Sequence, residues 1–492
     1  MEIPGLTMSK ERLGTFSLRP SSFFMEPAAY VGFMLSPIAL ALIDGKLLWA
    51  IFLMLSVFFT SSTTGLVACF VMLAVWAIMQ KKSKILLSVA IIALGLFYAL
   101  THFSIFETGV EKARKYLTII ALGLAGGSIY FIPAFYNMHT HAAMALLRSY
   151  SEDKPLFDWL NNIWKREAEL TAEDIYNGTR LAILEMIKSG TVFFADMYWH
   201  NEAVVRAAQS MGIRADVGIC LMDSLGKEVI KQKSDFAKSF RKDENSLVSI
   251  GIAPHAVYTC SSELYRRSFE LAREHGLLFH THLAETEKEV ADCLQQHGKT
   301  PVEYLYDLGV LDEQTLVAHC VHLNERDMEL LAESKATLVH NPCSNMKLAS
   351  GVFDSEAVMR KGCRIALGTD GNSSNNNLSM IEEMKFASLL AKVHYMNPTA
   401  GKAEEVMRWA TQNGARAVGL NAGRIEEGAL ADILIVKLDN ERLVPNNDLV
   451  SNIVYSADTR CIDSVMCNGK FLMKDGHVDN EEEIIATARK YE

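Results

Sequence analysis

Positive charge is in deficit. Over 492 residues, 48 Lys and Arg face 58 Asp and Glu, a formal net charge of −10. A global basic footprint for nucleic acid is therefore excluded. Cysteine is sparse and scattered: nine residues, with no CxxC pair and no short disulfide-type spacing. That pattern reads as free thiols in a reducing compartment. No signal peptide is expected at the start of the sequence, because Met1 to Pro20 is polar and has no apolar core. The last absence is local. Leu47 to Met79 carries no charge, and Ile85 to Phe106 carries none beyond His102.

What fills the uncharged stretches is apolar. Between Val31 and Phe106 the only full charges are Asp44, Lys46, Lys81, Lys82 and Lys84. A bilayer span takes about 20 mostly apolar residues, so this region can supply two or three. A further uncharged stretch runs from Leu117 to Pro133. Lys81, Lys82 and Lys84 favour the cytoplasmic side. Buried soluble helices are the alternative, but the runs are long and lack amphipathic polar stripes. The expectation is an all-α, transmembrane-like segment over residues 1–127, with residues 30–127 a candidate inner-membrane anchor for a cytoplasmic catalytic region. The segment Thr15 to Pro27, followed by the apolar runs and by Thr60 to Gly65, resembles O-antigen polymerase or ligase-type membrane proteins. Such proteins have more spans than fit here, so the piece resembles a fragment.

Character changes at Gly126-Gly127. From Ser128 onward charges are frequent and apolar runs are short. Strand-like runs fall at Ile132–Met138, Thr191–Met197, Ala215–Met222, Ser249–Ala256, Leu277–Leu283, Thr315–Val321, Ala336–Asn341 and Arg364–Gly368. Helix-period segments such as Ala172–Lys188, Ser262–His275 and Glu325–Glu333 lie between them. Eight strands alternating with helices predict an α/β fold, a (β/α)8 TIM-type barrel over residues 128–415. A doubly wound open sheet is the alternative, but the GxGxxG opening turn is missing. Residues 416–492 predict a small accessory β region. Ala431–Lys437 reads as a strand, and Ser464–Val478 as a hairpin turning at Asn468-Gly469.

Barrel chemistry sits at the C-terminal ends of the strands, and polar residues recur there. His139 and His141 close the first strand two residues apart, so alternation puts both imidazoles on one face. His282 closes the fifth, with Glu285 three residues on; His319 closes the sixth; Asp370 closes the eighth. A lone His-x-His pair is more often incidental, and a Gly-Thr-Asp-Gly is more often a turn. Their joint recurrence at successive strand ends points to one metal site. Three imidazoles and a carboxylate suit one divalent ion, Zn²⁺ or a similar first-row metal.

The stretches Pro133 to His141, His280 to Thr286, Ala318 to Leu323, His340 to Ala349 and Gly368 to Asn376 resemble the metal-dependent amidohydrolase superfamily. Within it they are similar to the branch of S-adenosylhomocysteine/methylthioadenosine deaminases and triazine chlorohydrolases. The resemblance runs from about Ser128 to the C-terminus, with Ala134 where a glycine is usual. It implies His139, His141, His282 and Asp370 as metal ligands. It also implies Glu285 as proton shuttle, and His319 as the group that polarises the attacking water and orients the substrate. The implied activity is hydrolytic deamination of an adenosine derivative, such as S-adenosylhomocysteine or methylthioadenosine, with release of ammonia. A bound divalent ion lowers the pKa of water toward about 7. Asp370 can accept the proton released, and Glu285 can protonate the ring nitrogen and the leaving amine. His319 can stabilise developing negative charge.

For substrate contacts the resemblance implies His255, after the fourth strand, and Glu167 as an acceptor for ribose hydroxyls. Relatives acting on S-adenosylhomocysteine use arginines near the third-strand loop for the amino-acid carboxylate. Here Ile219 occupies one such place and Lys227 is the candidate substitute. Trp159 and Trp164 can stack on a purine, although core packing is the commoner use. His322 and His340 read as structural or supporting residues. Relatives also begin with strands that complete a β-sandwich with the C-terminal ones. Apolar sequence stands there instead, so the accessory sandwich is expected to be partial, with exposed strand edges. Two further readings are a guanine- or triazine-type amidohydrolase, and a membrane-anchored fusion whose hydrolase half is inactive. Oligomeric state is not legible.

Overall fold

The computed structural model describes residues 129–240 and 246–491. The membrane-spanning expectation for residues 1–127, with the resemblance and the anchor attached to it, lies outside the described residues. Among the described residues no helix is long and apolar enough to cross a membrane.

Among the described residues, twelve strands form two sheets. β2 (Phe135–Thr140), β3 (Thr191–Tyr198), β4 (Arg214–Leu221), β5 (Val248–Pro254), β6 (Leu278–Leu283), β7 (Thr315–His319), β8 (Thr337–His340) and β9 (Arg364–Leu367) pair in sequence order as one parallel eight-stranded sheet. β3 and β4 are buried at every position. That is why they read as mainly apolar runs rather than alternating ones, with Asp196, Arg214 and Asp216 the charged exceptions: strands covered by helices outside and side chains inside have no wet face. The sheet curls into a near-closed barrel. At the seam, the backbone N–H groups of Thr369 and Asp370 donate to the His139 carbonyl (3.1 and 3.0 Å). Gly368 makes that approach possible, because a Cβ there would lie 2.5 Å from Asn341 Oδ1 and 2.8 Å from His139 Cβ. The connecting helices start on polar caps. Thr171, Ser261, Thr286, Thr300, Asn324 and Ser379 each accept a backbone N–H from the first turn.

The first sequence-predicted strand, Ile132–Met138, is two strands. β1 (Ile129–Pro133) leaves the barrel and pairs antiparallel with β10 (Ile433–Lys437). The chain crosses at Ala134, whose N–H donates to the Asp432 carbonyl (3.1 Å). β11 (Ile462–Cys467) and β12 (Lys470–Met473) complete a four-stranded sheet in the order β1-β10-β11-β12. β1 thus supplies a strand from ahead of the barrel to the accessory sheet, which among the described residues has four strands. The hairpin turns at Asn468 and Gly469, both with positive φ (48° and 77°), as a two-residue turn of that sequence requires. Buried Asp432 ties this sheet to the barrel. It accepts from the Tyr136 hydroxyl, pairs with Arg214 at 3.4 Å, and receives the Asn468 N–H at 2.6 Å.

Candidate active site

His139 lies in β2 and His141 one residue past it; His282 is in β6, and Asp370 is three residues beyond β9. All four are buried. Their polar tips converge: His139 Nε2 and His141 Nε2 lie 3.5 and 3.3 Å from Asp370 Oδ1, and His141 Nε2 lies 3.4 Å from His282 Nε2. His319 Nε2 is close by, 4.0 Å from Asp370 Oδ2 and 3.8 Å from Glu285 Oε2. The structure thus brings together all six residues that the sequence assigns to ligation and proton transfer.

The proton positions on two imidazoles follow from their partners. A carbonyl only accepts, so the His141 Nδ1–H donates to Met197 O (2.6 Å) and the His282 Nδ1–H to His255 O (2.8 Å). Their Nε2 lone pairs are left pointing at each other. His139 Nδ1 pairs with His280 Nε2 at 2.9 Å, while His139 Nε2 is buried without a hydrogen-bond partner. Burial, followed for His282 by neighbouring imidazoles, favours the neutral rings. It holds His139 down to about 4, against the pull of Asp370, and His282 well below its ordinary value. Lone pairs converging on a buried carboxylate are repulsive unless a cation lies among them. Three nitrogens and one carboxylate fit a first-row divalent ion, so His139, His141, His282 and Asp370 could hold one. Each Nδ1 partner fixes the ring orientation this requires.

The neighbouring groups are held by the segment after β8. The Ser344 hydroxyl donates to Asp370 Oδ2 (2.6 Å), His319 Nδ1 meets Asn345 Oδ1 (2.8 Å), and the Ser350 hydroxyl donates to Glu285 Oε1 (3.2 Å). Burial raises the Glu285 pKa, with His319 pulling the other way. For His319 burial disfavours the charged ring, but Glu285, Asp370 and Asn345 outweigh it and the net shift is upward. For Asp370 burial is outweighed by the surrounding imidazoles, which hold the carboxyl well below its usual range.

This constellation sits where three comparisons agree. A family model described as "Amidohydrolase family" matches residues 130–472. The chain is 46% identical to 5-methylthioadenosine/S-adenosylhomocysteine deaminase 1 of Archaeoglobus fulgidus, over 73% of this chain and 86% of that protein. The chain belongs to the amidohydrolase family. It is 42% identical to the 5'-deoxyadenosine deaminase of Methanosphaera stadtmanae, over 73% of this chain and 86% of that one. Among solved structures, an adenosine deaminase from Xanthomonas campestris with bound zinc superposes with a TM-score of 0.71. It is 33% identical and covers 74% of this chain and 85% of that one.

In this amidohydrolase a cavity opens onto the cluster, lined by His141, Glu167, His255, His282, Glu285, His319 and Asp370 among others. His255 follows β5. Its ring lies 4.7 Å from that of His282, its Nδ1 meets Thr259 Oγ1 at 3.1 Å, and burial and neighbouring imidazoles hold it down to about 3. Glu167 ends the helix Leu156–Glu167. It accepts from Trp199 Nε1 (3.3 Å) on one oxygen, while its other oxygen is buried without a partner. Lys227 is not brought to the site. It stands exposed at the start of the helix Lys227–Ser239 and lines neither this cavity nor the wider one next to it. The reason is helical geometry: Lys233, less than two turns on, is the cation that faces inward. Lys233 lines the neighbouring cavity of about 740 Å³, beside Trp199 and 3.3 Å from Asn201 Oδ1.

Trp159 and Trp164 line the inner cavity and also pack with the hydrophobic core. Tyr258 and Trp199 also line it and were not anticipated. Neither belongs to a metal-ligand spacing; their only signal is an aromatic just after a strand end. His322 donates from Nε2 to the Ser350 carbonyl, and His340 stacks on Phe353 (4.4 Å).

Proposed function

We propose that the chain catalyses metal-dependent hydrolytic deamination of an adenosine derivative such as S-adenosylhomocysteine or methylthioadenosine. One observation carries the reading: the unpartnered imidazole nitrogens and Asp370 converge beside Glu285 and His319, in a family in which the curated relatives described above are named for such deaminations. His139, His141, His282 and Asp370 would hold the ion, and zinc suits that donor set. Bound there, the ion supplies Lewis acidity and lowers the pKa of water toward about 7.

The chain's own groups then divide the proton work. Asp370 takes the proton of the attacking water. Glu285, its pKa raised by burial, gives a proton to the ring nitrogen next to the amino-bearing carbon, is recharged by the proton that Asp370 took and passes it to the departing amine; the second proton of the water then restores Glu285. His319 faces both carboxylates and stabilises charge on the tetrahedral adduct. Water adds to the ring carbon, the C–N bond to the amino group breaks, and ammonia and the keto product leave. The free oxygen of Glu167 is an acceptor for ribose hydroxyls, and Trp159 and Trp164 present faces to a purine.

The test is ammonia release by the full chain on methylthioadenosine, S-adenosylhomocysteine, 5'-deoxyadenosine and guanine, with chloride release followed on a chlorotriazine. Turnover of the adenosine derivatives, with guanine and triazine at background, is expected. Preference for guanine or the triazine would replace this reading, and no turnover on any of them would remove it.

A further inference from the structure

We infer that Glu289 is a positioning residue for deamination, holding the strand exits that carry Glu285 and His319. The inference rests on the deaminase reading above. Glu289 sits in the first turn of the helix Glu287–His297 and is 1% exposed. Its carboxylate spends both oxygens on adjacent backbone groups: Oε1 accepts from the Ala284 N–H (3.0 Å) and Oε2 from the Glu285 N–H (2.8 Å). Its own N–H is held by Thr286 Oγ1 (3.2 Å).

The backbone it grips is strained. Ala284 has φ +51°, the left-handed region that favours glycine. Such a conformation persists at a functional site only where its surroundings over-determine it. The opposite side of the same peptide is gripped by the exit of β7. The Ala284 carbonyl accepts the N–H groups of Val321 and His322 (both 2.9 Å), and the Leu283 carbonyl accepts that of Cys320 (2.9 Å). That exit is strained as well, with His319 at φ +73° and Cys320 at φ +49°. Leu283 and His319 are register partners across β6 and β7. Two left-handed exits are thus locked to each other, and Glu289 closes the lock on the N–H side. What the lock fixes is the facing of Glu285 Oε2 and His319 Nε2 at 3.8 Å. Glu289 itself does not line the cavity that opens onto the cluster, so it acts through Glu285 and His319.

A carboxylate suits this place because each of its oxygens can accept an N–H; burial raises its pKa to about 7, against the pull of those two N–H groups. Glutamine has the same size but one acceptor oxygen, and its NH₂ would face an N–H. The experiment is a double-mutant cycle with Glu289→Gln and Glu285→Gln, reading kcat, KM, metal content and melting temperature. Glu289→Gln alone should lower kcat about 10- to 100-fold, the range for a supporting residue of a site. KM should stay within about two-fold, with metal content unchanged. In the Glu285→Gln background the second substitution should cost less than about two-fold, because groups that act as a unit are non-additive. An unchanged kcat in Glu289→Gln overturns the inference. So does an equal loss in both backgrounds, which marks general destabilisation. If Glu289→Gln does not accumulate folded, Glu289→Asp replaces it in the same cycle under the same criteria. A wild-type chain that releases no ammonia overturns the deaminase reading and this role with it. An active wild type with additive losses overturns the role of Glu289 alone.

Discussion

His141 and His282 are tied through Nδ1 to backbone carbonyls of neighbouring strand ends, at Met197 and His255. Glu285, His319 and Asp370 are held instead by side chains from one short stretch, Ser350, Asn345 and Ser344. Two of the candidate ligands are thus built into the barrel, whereas the proton-transfer groups, Asp370 among them, lean on a loop and helix laid over it. Backbone carbonyls of a parallel sheet cannot be lost by substitution, so the geometry of His141 and His282 comes with the fold, while His139 is held by the His280 side chain. Side-chain supports can be removed singly. The two halves should therefore fail in different ways: ion loss on one side, slow chemistry with the ion retained on the other.

The largest effect that tests this contrast is His282→Ala. It should remove stoichiometric metal and bring ammonia release to background, as read by elemental analysis beside the assay. Retained metal with mere slowing would erase the distinction. Next, Glu285→Gln should keep the metal and lower kcat about 10²- to 10⁴-fold, the usual worth of a general acid–base. Ser344→Ala should lower activity about 10- to 100-fold by freeing Asp370 Oδ2; steady-state kinetics with full metal occupancy would establish it. Glu167→Ala should raise KM for a ribonucleoside substrate about ten-fold, the equivalent of one lost hydrogen-bonded contact. A substrate lacking ribose hydroxyls should not feel the change. Smallest in activity is Tyr136→Phe, which removes one of the partners of Asp432 between barrel and accessory sheet. It should cost about 1 to 3 kcal/mol of stability in denaturant and leave kcat alone.

Much of the barrel was legible because its strands are covered on both faces and announce themselves as apolar runs bounded by polar strand ends. The ligands were legible for the same reason: a histidine or aspartate at the end of such a run is conspicuous. β1 was not, since Ile129–Pro133 runs through Ala134 into Phe135 and Tyr136 without a polar break. Nothing local tells which sheet each half will join; only pairing with Ile433–Lys437 decides it. The supports Ser344, Asn345 and Glu289 were hidden differently. Serines, asparagines and glutamates at helix starts ordinarily serve as caps, and only the fold shows that these turn inward. Lys227 and Lys233 differ by helical phase alone, which the sequence does not assign to a cavity.

The central claim is that the converging histidines and Asp370 exist to hold an ion that deaminates an adenosine derivative. Chelation of the full chain followed by zinc readdition, with ammonia release from methylthioadenosine measured at each step, tests it most directly. Loss on chelation and recovery at about one zinc per chain is the predicted result. Ammonia release indifferent to chelation, or none at any step, would contradict it.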